Sequence, residues 1–404
     1  MNTLIIRIYR NPYFWPFLLA FLVLGASLQS LLAPNFPLGQ TEHLYTAYNN
    51  YVIFKQSFFH LINHQSLYIM YPNEHWDLFK YSPTFALLFG VWAVLPDSLG
   101  LLLWNGLNAL VWWQGIRVWQ QNTTVHHAAL NGWWMGLGAV ELMTSLQNEQ
   151  SNALIAGLLM WAWGEWERGA SSRAILMIIL TGFIKLFGWA ALLLWLAYPH
   201  KGRNFLIVLV WGLLLAALPL MVMSPSIYLW QMKEYLQMLG QDHSLSYGIS
   251  LMGFLEKTMP SLWNKNVVLL LGLGIMALPW LGTLYRKTNS EYRALGLAAL
   301  MIWMVIFNHK AESPTFVIAV TPALWWLLRT LELWTTRLIL VALIIFTILS
   351  PTDLFPVALR RAWVEPFHLK ALPCVMVWVA LQWTIYRELF QSRTSPLTTT
   401  GQAD

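Results

Sequence analysis

The sequence predicts an all-α fold, a polytopic membrane protein of roughly twelve transmembrane helices, and three observations carry that expectation. Hydrophobic residues make up 57% of the 404-residue chain and charged ones only 10%, against about 25% charged in ordinary soluble domains. Apolar runs of about 15 to 22 residues recur along nearly the whole length, which suits helices crossing about 30 Å of hydrocarbon and not the shorter alternating strands of a barrel. The net charge is +6, yet Lys and Arg sit in short loops between apolar runs. That is the pattern of membrane topology and not of a nucleic-acid surface.

The apolar runs in order are 13–32, 81–95, 101–118, 129–146, 152–166, 174–196, 204–223, 267–284, 294–307, 315–328, 338–349 and 372–385. The first follows Arg7 and Arg10 and continues into polar loop without a small-residue cleavage site, so it reads as a retained span. Under this count the basic loops at Arg7/Arg10, Lys201/Arg203, Arg286/Lys287/Arg293, Arg329/Arg337 and Arg387 share one side. Both termini are therefore expected in the cytoplasm, with the protein in the inner (plasma) membrane. The count leaves Arg168/Arg173 and Arg360/Arg361 on the other side and 147–152 inside, which points to a re-entrant segment among the middle spans. Residues 1–386 read as a single transmembrane domain and 387–404 as a cytoplasmic tail without fixed structure. The single cysteine, Cys374, lies in an apolar run, so neither a disulfide nor a cysteine metal site is indicated. No cofactor is specified: carboxylates near the outer face are too scattered to define a divalent-cation site, and a cation is left open.

Two long loops, 33–80 and 224–266, face outward in this scheme. In the first, Tyr51, Ile53, Phe54, Phe58, Phe59 and Leu61 cover one helical face, while Asn50, Lys55, Gln56 and His60 lie toward the other. The second repeats the pattern at 228–239. Both read as interfacial helices lying at the membrane boundary and roofing a cavity. Within the spans, a charged side chain at the middle costs about 2.5 to 3.5 kcal/mol on insertion scales, so each one needs a partner or a purpose. Lys185, inside the run 174–196, either snorkels, pairs with Glu141 or serves as a cation for a lipid-linked phosphate. The polar turn 147–152, with Gln150 and Asn152, and the loop 308–314, with His309, Lys310 and Glu312, are further candidate binding elements.

The order of these features resembles glycosyltransferase family 87, enzymes of the GT-C superfold. Asn50-Tyr51, Phe54 and Ser57 stand where that family has Asp-Phe followed by Tyr and Ala. Leu67-Tyr68 and Tyr81-Ser82-Pro83 follow its Leu-Tyr and Tyr-Pro-Pro. Glu149-Gln150-Ser151-Asn152 is similar to its Gly-Gln-x-Asn, and Ile184-Lys185 to its Ile-Lys-x-x-Pro with Gly188 in place of proline. Asp242-His243-Ser244 echoes its Asn-Gln-Ser, and His309 to Glu312 its late His/Glu loop. The resemblance implies a GT-C-like bundle that transfers a mannose-like hexose, with inversion, from a polyprenyl-phosphate donor to a glycan or glycolipid acceptor at the outer face.

The family's catalytic aspartate is replaced by Asn50, and an amide cannot accept the acceptor's proton. Glu42 and Asp77 are the carboxylates near enough in sequence to stand in, and Glu42 is the favoured one because it is nearer the outer end of the first span. On this reading a cation such as Lys185 or Lys310 meets phosphate, amides such as Gln150 and Asn152 hold sugar hydroxyls, and Lys80, His243, Ser244, His309 and Glu312 are further substrate-binding residues. Tyr51, Trp76 and Tyr81 pack on sugar and prenyl faces. A transporter or flippase of lipid-linked sugars would show paired halves with broken helices, which the sequence lacks. An oligosaccharide polymerase or ligase would carry more arginine in its outer loops.

Overall fold

The computed structural model describes residues 11, 13–38, 43–123, 128–244 and 246–391. Helix α1 (Phe14–Leu32) leads into a short hairpin pairing Phe36–Pro37 with Leu44–Tyr45, then α2 (Asn49–Ile62) and α3 (Pro83–Ala93). Helices α4 (Asp97–Asn122), α5 (Ala128–Gln147), α6 (Asn152–Glu167) and α7 (Ser171–Ile184) form the centre of the bundle. A 3-10 helix (Leu186–Ala197) and α8 (Lys201–Ala217) come next, followed by α9 (Pro225–Ser244) and α10 (Leu251–Thr258). The chain closes with α11 (Lys265–Gly282), α12 (Ser290–Ile306), α13 (Val317–Arg329), α14 (Trp334–Ala342) and α15 (Leu372–Gln391). Among the described residues, four helices are long and apolar enough to cross a membrane: Phe14–Leu32, Lys201–Met221, Lys265–Gly282 and Leu369–Phe390.

The expected crossing over 81–95 is not made. Pro83 opens α3 at the first helical position and the Ser82 hydroxyl accepts from Phe85 N–H, a strong start signal. The 11 residues that follow span only about 16 Å at 1.5 Å per residue, half of a hydrocarbon core. Helix α3 instead packs beside α2: Tyr51 donates to the Trp92 carbonyl at 3.1 Å, and Phe54 meets Phe85 and Phe89 edge-on. The aromatic face of α2 is thus buried in protein, with Tyr51 and Phe54 fully covered, where the sequence had suggested a lipid interface. Helix α9 shows the other arrangement. Its Gln231 and Tyr235 are buried against the first loop while Leu229 and Leu236 stand exposed, as suits a helix at a membrane boundary.

A second correction follows at 174–196, which is two antiparallel segments and not one span. Lys185 is extended (φ −132°, ψ 132°) between α7 and the 3-10 helix, and its Nζ reaches Asn152 at the start of α6. The chain then runs back along α7 to the far end of α6, where Tyr198 stacks on Trp166 at 4.6 Å and donates to Glu167 at 2.6 Å. Lys185 therefore caps a fold-back at one end of the bundle, and the burden of a mid-span charge does not arise.

These two changes regroup the loops. Asn50 donates to the Asn148 carbonyl at 2.9 Å and Gln147 to Gln29 at 2.6 Å, so the turn 147–152 lies at the same end as α2, not opposite it. Arg168 and Arg173, paired with Glu165, move to the other end. There Arg293 grips Glu167 through two bonds of 2.7 Å and Arg329 meets Glu291 at 2.7 Å.

The fold-back is tight enough to test. A Cβ on Gly188 would lie 2.5 Å from the Thr181 carbonyl carbon and oxygen. Gly188→Ala is expected to lower stability by about 1 to 3 kcal/mol, as overpacking does. Gly212→Ala, where a Cβ meets nothing within 4 Å, serves as the control in thermal unfolding of the purified protein. Equal midpoints for the two variants would contradict the packing described.

Candidate functional site

At the end of the bundle that carries α2 and the 147–152 turn, a cavity of about 550 Å³ opens. Six stretches distant in sequence build its wall: Asn50, Ile53 and Phe54 from α2; Asp77, Lys80 and Tyr81 from the loop before α3; Gln150; Lys185 to Phe187; Leu239 and Gly240 of α9; and the 303–315 region. The wall combines polar residues, Asp77, Lys80, Gln150, Lys185, His309, Lys310 and Glu312, with apolar and aromatic ones, Phe54, Phe187, Leu239, Trp303 and Phe307.

Lys185 is the best-anchored cation there. Its Nζ donates to Gln150 Oε1 at 3.0 Å and Asn152 Oδ1 at 2.9 Å and lies 5.6 Å from the Tyr81 ring centroid. Tyr81 also donates to Gln150 Oε1 at 3.3 Å. The turn that presents Gln150 has Glu149 at φ +49°, a conformation that disfavours every residue but glycine and, less so, Asn and Asp. This is the position where the family pattern has glycine. The Glu149 carboxylate accepts from Ser30 at 2.8 Å and its carbonyl from Trp104 Nε1 at 2.8 Å, contacts that hold the strained turn.

Asp77 pairs with Lys80 at 3.1 Å and accepts from Leu78 N–H at 2.7 Å. Its loop is pinned by Asn49, which accepts from Trp76 N–H at 3.2 Å, and by Tyr68, which donates to the Tyr81 carbonyl at 3.0 Å. Behind it, Gln231 of α9 accepts from Leu67 N–H and donates to the Gln65 carbonyl. The two long loops are thereby clasped together. On the far wall, Glu312 and Thr315 cap the helix that continues into α13, each side chain bonding the other's backbone N–H.

A buried pair underlies that wall: Lys370 Nζ lies 3.0 Å from Glu141 Oε1 and 2.8 Å from Ser313 Oγ. Glu141 is therefore the partner of Lys370 and not of Lys185. Sequence reasoning missed this pair, because Lys370 stands 229 residues from Glu141. It also missed Trp303, Met304 and Phe307, which lie in an ordinary apolar run and carry no local signal.

Of the candidate residues, Asn50, Asp77, Lys80, Tyr81, Gln150, Lys185, His309, Lys310 and Glu312 line the cavity together. Asn152 stands behind the wall, bonded to Lys185. Tyr51 is elsewhere, packed between α2 and α3, and Trp76 packs on Phe36 and Tyr45. Glu42 lies outside the described residues, as do the side chains of His243 and Ser244, which end α9. Asn50 spends its amide N–H on Asn148, leaving an acceptor oxygen but no base. Among the described residues no three His, Cys, Asp or Glu side chains gather as a metal-ligand set.

A helical membrane protein with a cavity lined by both charged and apolar groups is the class that fold and site define. The model of glycosyltransferase family 87 matches residues 79–351, about two thirds of the chain, and the chain belongs to that family. It is a membrane glycosyltransferase. The match spans Lys80, Tyr81, Gln150, Lys185 and the 308–315 loop, and it begins just after Asp77. A search of curated proteins finds no match.

Two histidines beneath Asp77 confer a pH dependence on this loop. Burial lowers the pKa of His60, which stacks on Tyr71 at 3.8 Å, although Glu74 at 3.0 Å opposes the shift. Burial likewise lowers that of His75, whose Nδ1 lies 2.7 Å from the Asp77 carbonyl. A base whose pKa falls on folding contributes stability above its unfolded value, near 6.5, that is lost as pH drops through the folded one. Amide exchange over residues 60–78, corrected for intrinsic rates, is expected to quicken from pH 7.5 to 5.5. A His60→Gln/His75→Gln double variant is expected to flatten that dependence; an equally steep profile in the variant would overturn the assignment.

Proposed function

We propose that this protein transfers a mannose-like hexose, with inversion, from a polyprenyl-phosphate donor to a glycan or glycolipid acceptor, with the cavity at the outer face of the inner membrane. The observation that carries the reading is the cavity's mixed wall, which brings cations and amides together with aromatic and aliphatic residues. A donor with a prenyl tail and a phosphate-linked sugar needs both kinds of group. Burial of the tail along Phe187, Trp303 and Phe307 draws on the hydrophobic effect, and the phosphate meets Lys185 and Lys310. The regrouped basic loops at the opposite end support a cytoplasmic side there, with both termini in the cytoplasm and about twelve crossings. Convergence of the polar groups on one end, and not along a path through the bundle, favours an enzyme over a transporter.

In this reading Asp77 is the base. It takes the acceptor hydroxyl's proton as the acceptor oxygen bonds to the anomeric carbon, and the bond from that carbon to the phosphate oxygen breaks. Both electrons leave with the polyprenyl phosphate, whose growing negative charge Lys185 stabilises. Lys80, now paired with Asp77, orients the carboxylate. Gln150 and Asn152 keep the Lys185 ammonium in register, and Asn50 offers an oxygen to a sugar hydroxyl. Glu42 is the alternative base.

The test uses membranes containing the full chain and radiolabelled polyprenyl-phosphate hexoses. Asp77→Asn is expected to lower kcat by about 10² to 10⁴-fold, the range of a general base, with donor KM little changed. Lys185→Ala is expected to lower kcat by about 10² to 10³-fold, as lost electrostatic stabilisation does. Full activity in Asp77→Asn moves the role to Glu42; transfer from no polyprenyl-phosphate hexose by the intact protein refutes the reaction.

A further inference from the structure

The buried Lys370–Glu141 pair is joined to both of the stretches that bring a phosphate-binding lysine to the cavity. On one side, Glu141 stands on α5, and α5 leads into the turn that presents Gln150 to Lys185. That turn is closed onto the helix: Glu149 N–H donates to the Leu146 carbonyl at 3.1 Å and Gln150 N–H to the Ser145 carbonyl at 3.2 Å. On the other side, Lys370 Nζ lies 2.8 Å from Ser313 Oγ and 3.3 Å from the Ser313 carbonyl oxygen. The loop before Ser313 is closed on itself, because Asn308 accepts from Lys310 N–H through its side chain at 2.9 Å and from Ala311 N–H through its carbonyl at 3.0 Å. One ammonium thus ties the helix behind Lys185 to the loop that bears Lys310.

The chemistry of the pair suits a tie better than a filler. An ammonium has three protons to donate and nothing that accepts. The two oxygens of Glu141, at 3.0 and 3.1 Å, balance its charge, and a proton remains for Ser313. The lysine is itself fixed: its carbonyl accepts from the Thr347 hydroxyl at 2.8 Å, and its Nζ lies 4.9 Å from the Phe316 ring centroid. Two apolar side chains of similar volume would fill the space about as stably, since desolvation offsets most of a buried pair's attraction. They would make no directed bond to Ser313.

We propose that Lys370 and Glu141 are positioning residues for the transfer reaction, which through Ser313 set the spacing between Lys185 and Lys310 so that both ammonium groups grip one donor phosphate. Neither residue of the pair lines the cavity, so both act through the stretches they join. The inference rests on the donor reading above and adds to it a control of donor affinity remote from the donor. A charge-assisted bond to phosphate needs contact distance. A wall that drifts therefore loosens the grip before it alters the chemistry at the anomeric carbon.

The test compares two variants of the full chain in lipid nanodiscs. Ser313→Ala removes the hydroxyl and leaves the ion pair. The double variant Lys370→Met/Glu141→Leu removes both charges together, so that none is left buried alone, and its thermal midpoint is expected within about 3 °C of the parent. In both variants the amides of 308–312 are expected to exchange at least about tenfold faster, as a locally opened segment does. Donor KM is expected to rise at least about tenfold with kcat within about twofold, whereas partial unfolding would lower kcat and leave KM unchanged. Unchanged exchange, or unchanged KM in either variant, would overturn the proposal. Transfer by the intact protein is read separately. Its absence with every polyprenyl-phosphate hexose defeats the reaction and the donor's part in the proposal, and the exchange rates then decide whether the pair ties the wall.

Discussion

The ammonium of Lys185, held between the side-chain oxygens of Gln150 and Asn152, is the contact around which the rest is arranged. It is available because the chain breaks its helix at Lys185 and folds back, so the lysine arrives at the end of the bundle with its charge in a polar niche. A lysine at the centre of an unbroken span would have had to snorkel or neutralise itself. The amides that receive it come from a turn with a left-handed residue at its apex, Glu149. That turn is held in turn by Ser30 of α1 and Trp104 of α4. Cation, turn and first helix therefore form one mechanical unit.

Around that unit the walls are each supported from outside. The loop carrying Asp77 is pinned by Asn49, Tyr68 and Gln231 of α9. The loop carrying His309 to Glu312 is sewn to 246–249 and rests on the Lys370–Glu141 pair through Ser313. A buried ion pair is weak evidence for stability, since desolvation offsets most of its attraction. Here it has a definite geometric consequence, because it fixes a segment of the cavity wall. Groups that must act on a bound substrate need this kind of support to stay within productive geometry.

The departures from the family pattern have physical readings. Glu149, where the resembled pattern has glycine, adopts a left-handed conformation and anchors it with its side chain. Gly188 stands where proline is usual, and the close approach of the Thr181 backbone leaves no room for a β-carbon. Asn50 retains a place on the cavity wall but spends its donor on Asn148, so it brings the cavity an acceptor oxygen and no carboxylate.

Much of this was legible along the chain. Apolar runs and basic loops specify a helical membrane protein, because a backbone in lipid must satisfy its own hydrogen bonds and helices do so locally. Polar clusters at 77–81, 147–152, 185 and 308–312 mark themselves as well, since burying such groups is costly and calls for a reason. What needed the folded chain was direction and company. Hydropathy does not distinguish a span from a short helix such as Pro83–Ala93 or a doubled-back one such as 174–196, because both are equally apolar and differ only in their contacts. Nor can it pair Glu141 with Lys370, or see that Trp303 and Phe307 face a cavity. Such partners lie hundreds of residues apart and are selected by packing, which leaves no periodic trace in the sequence.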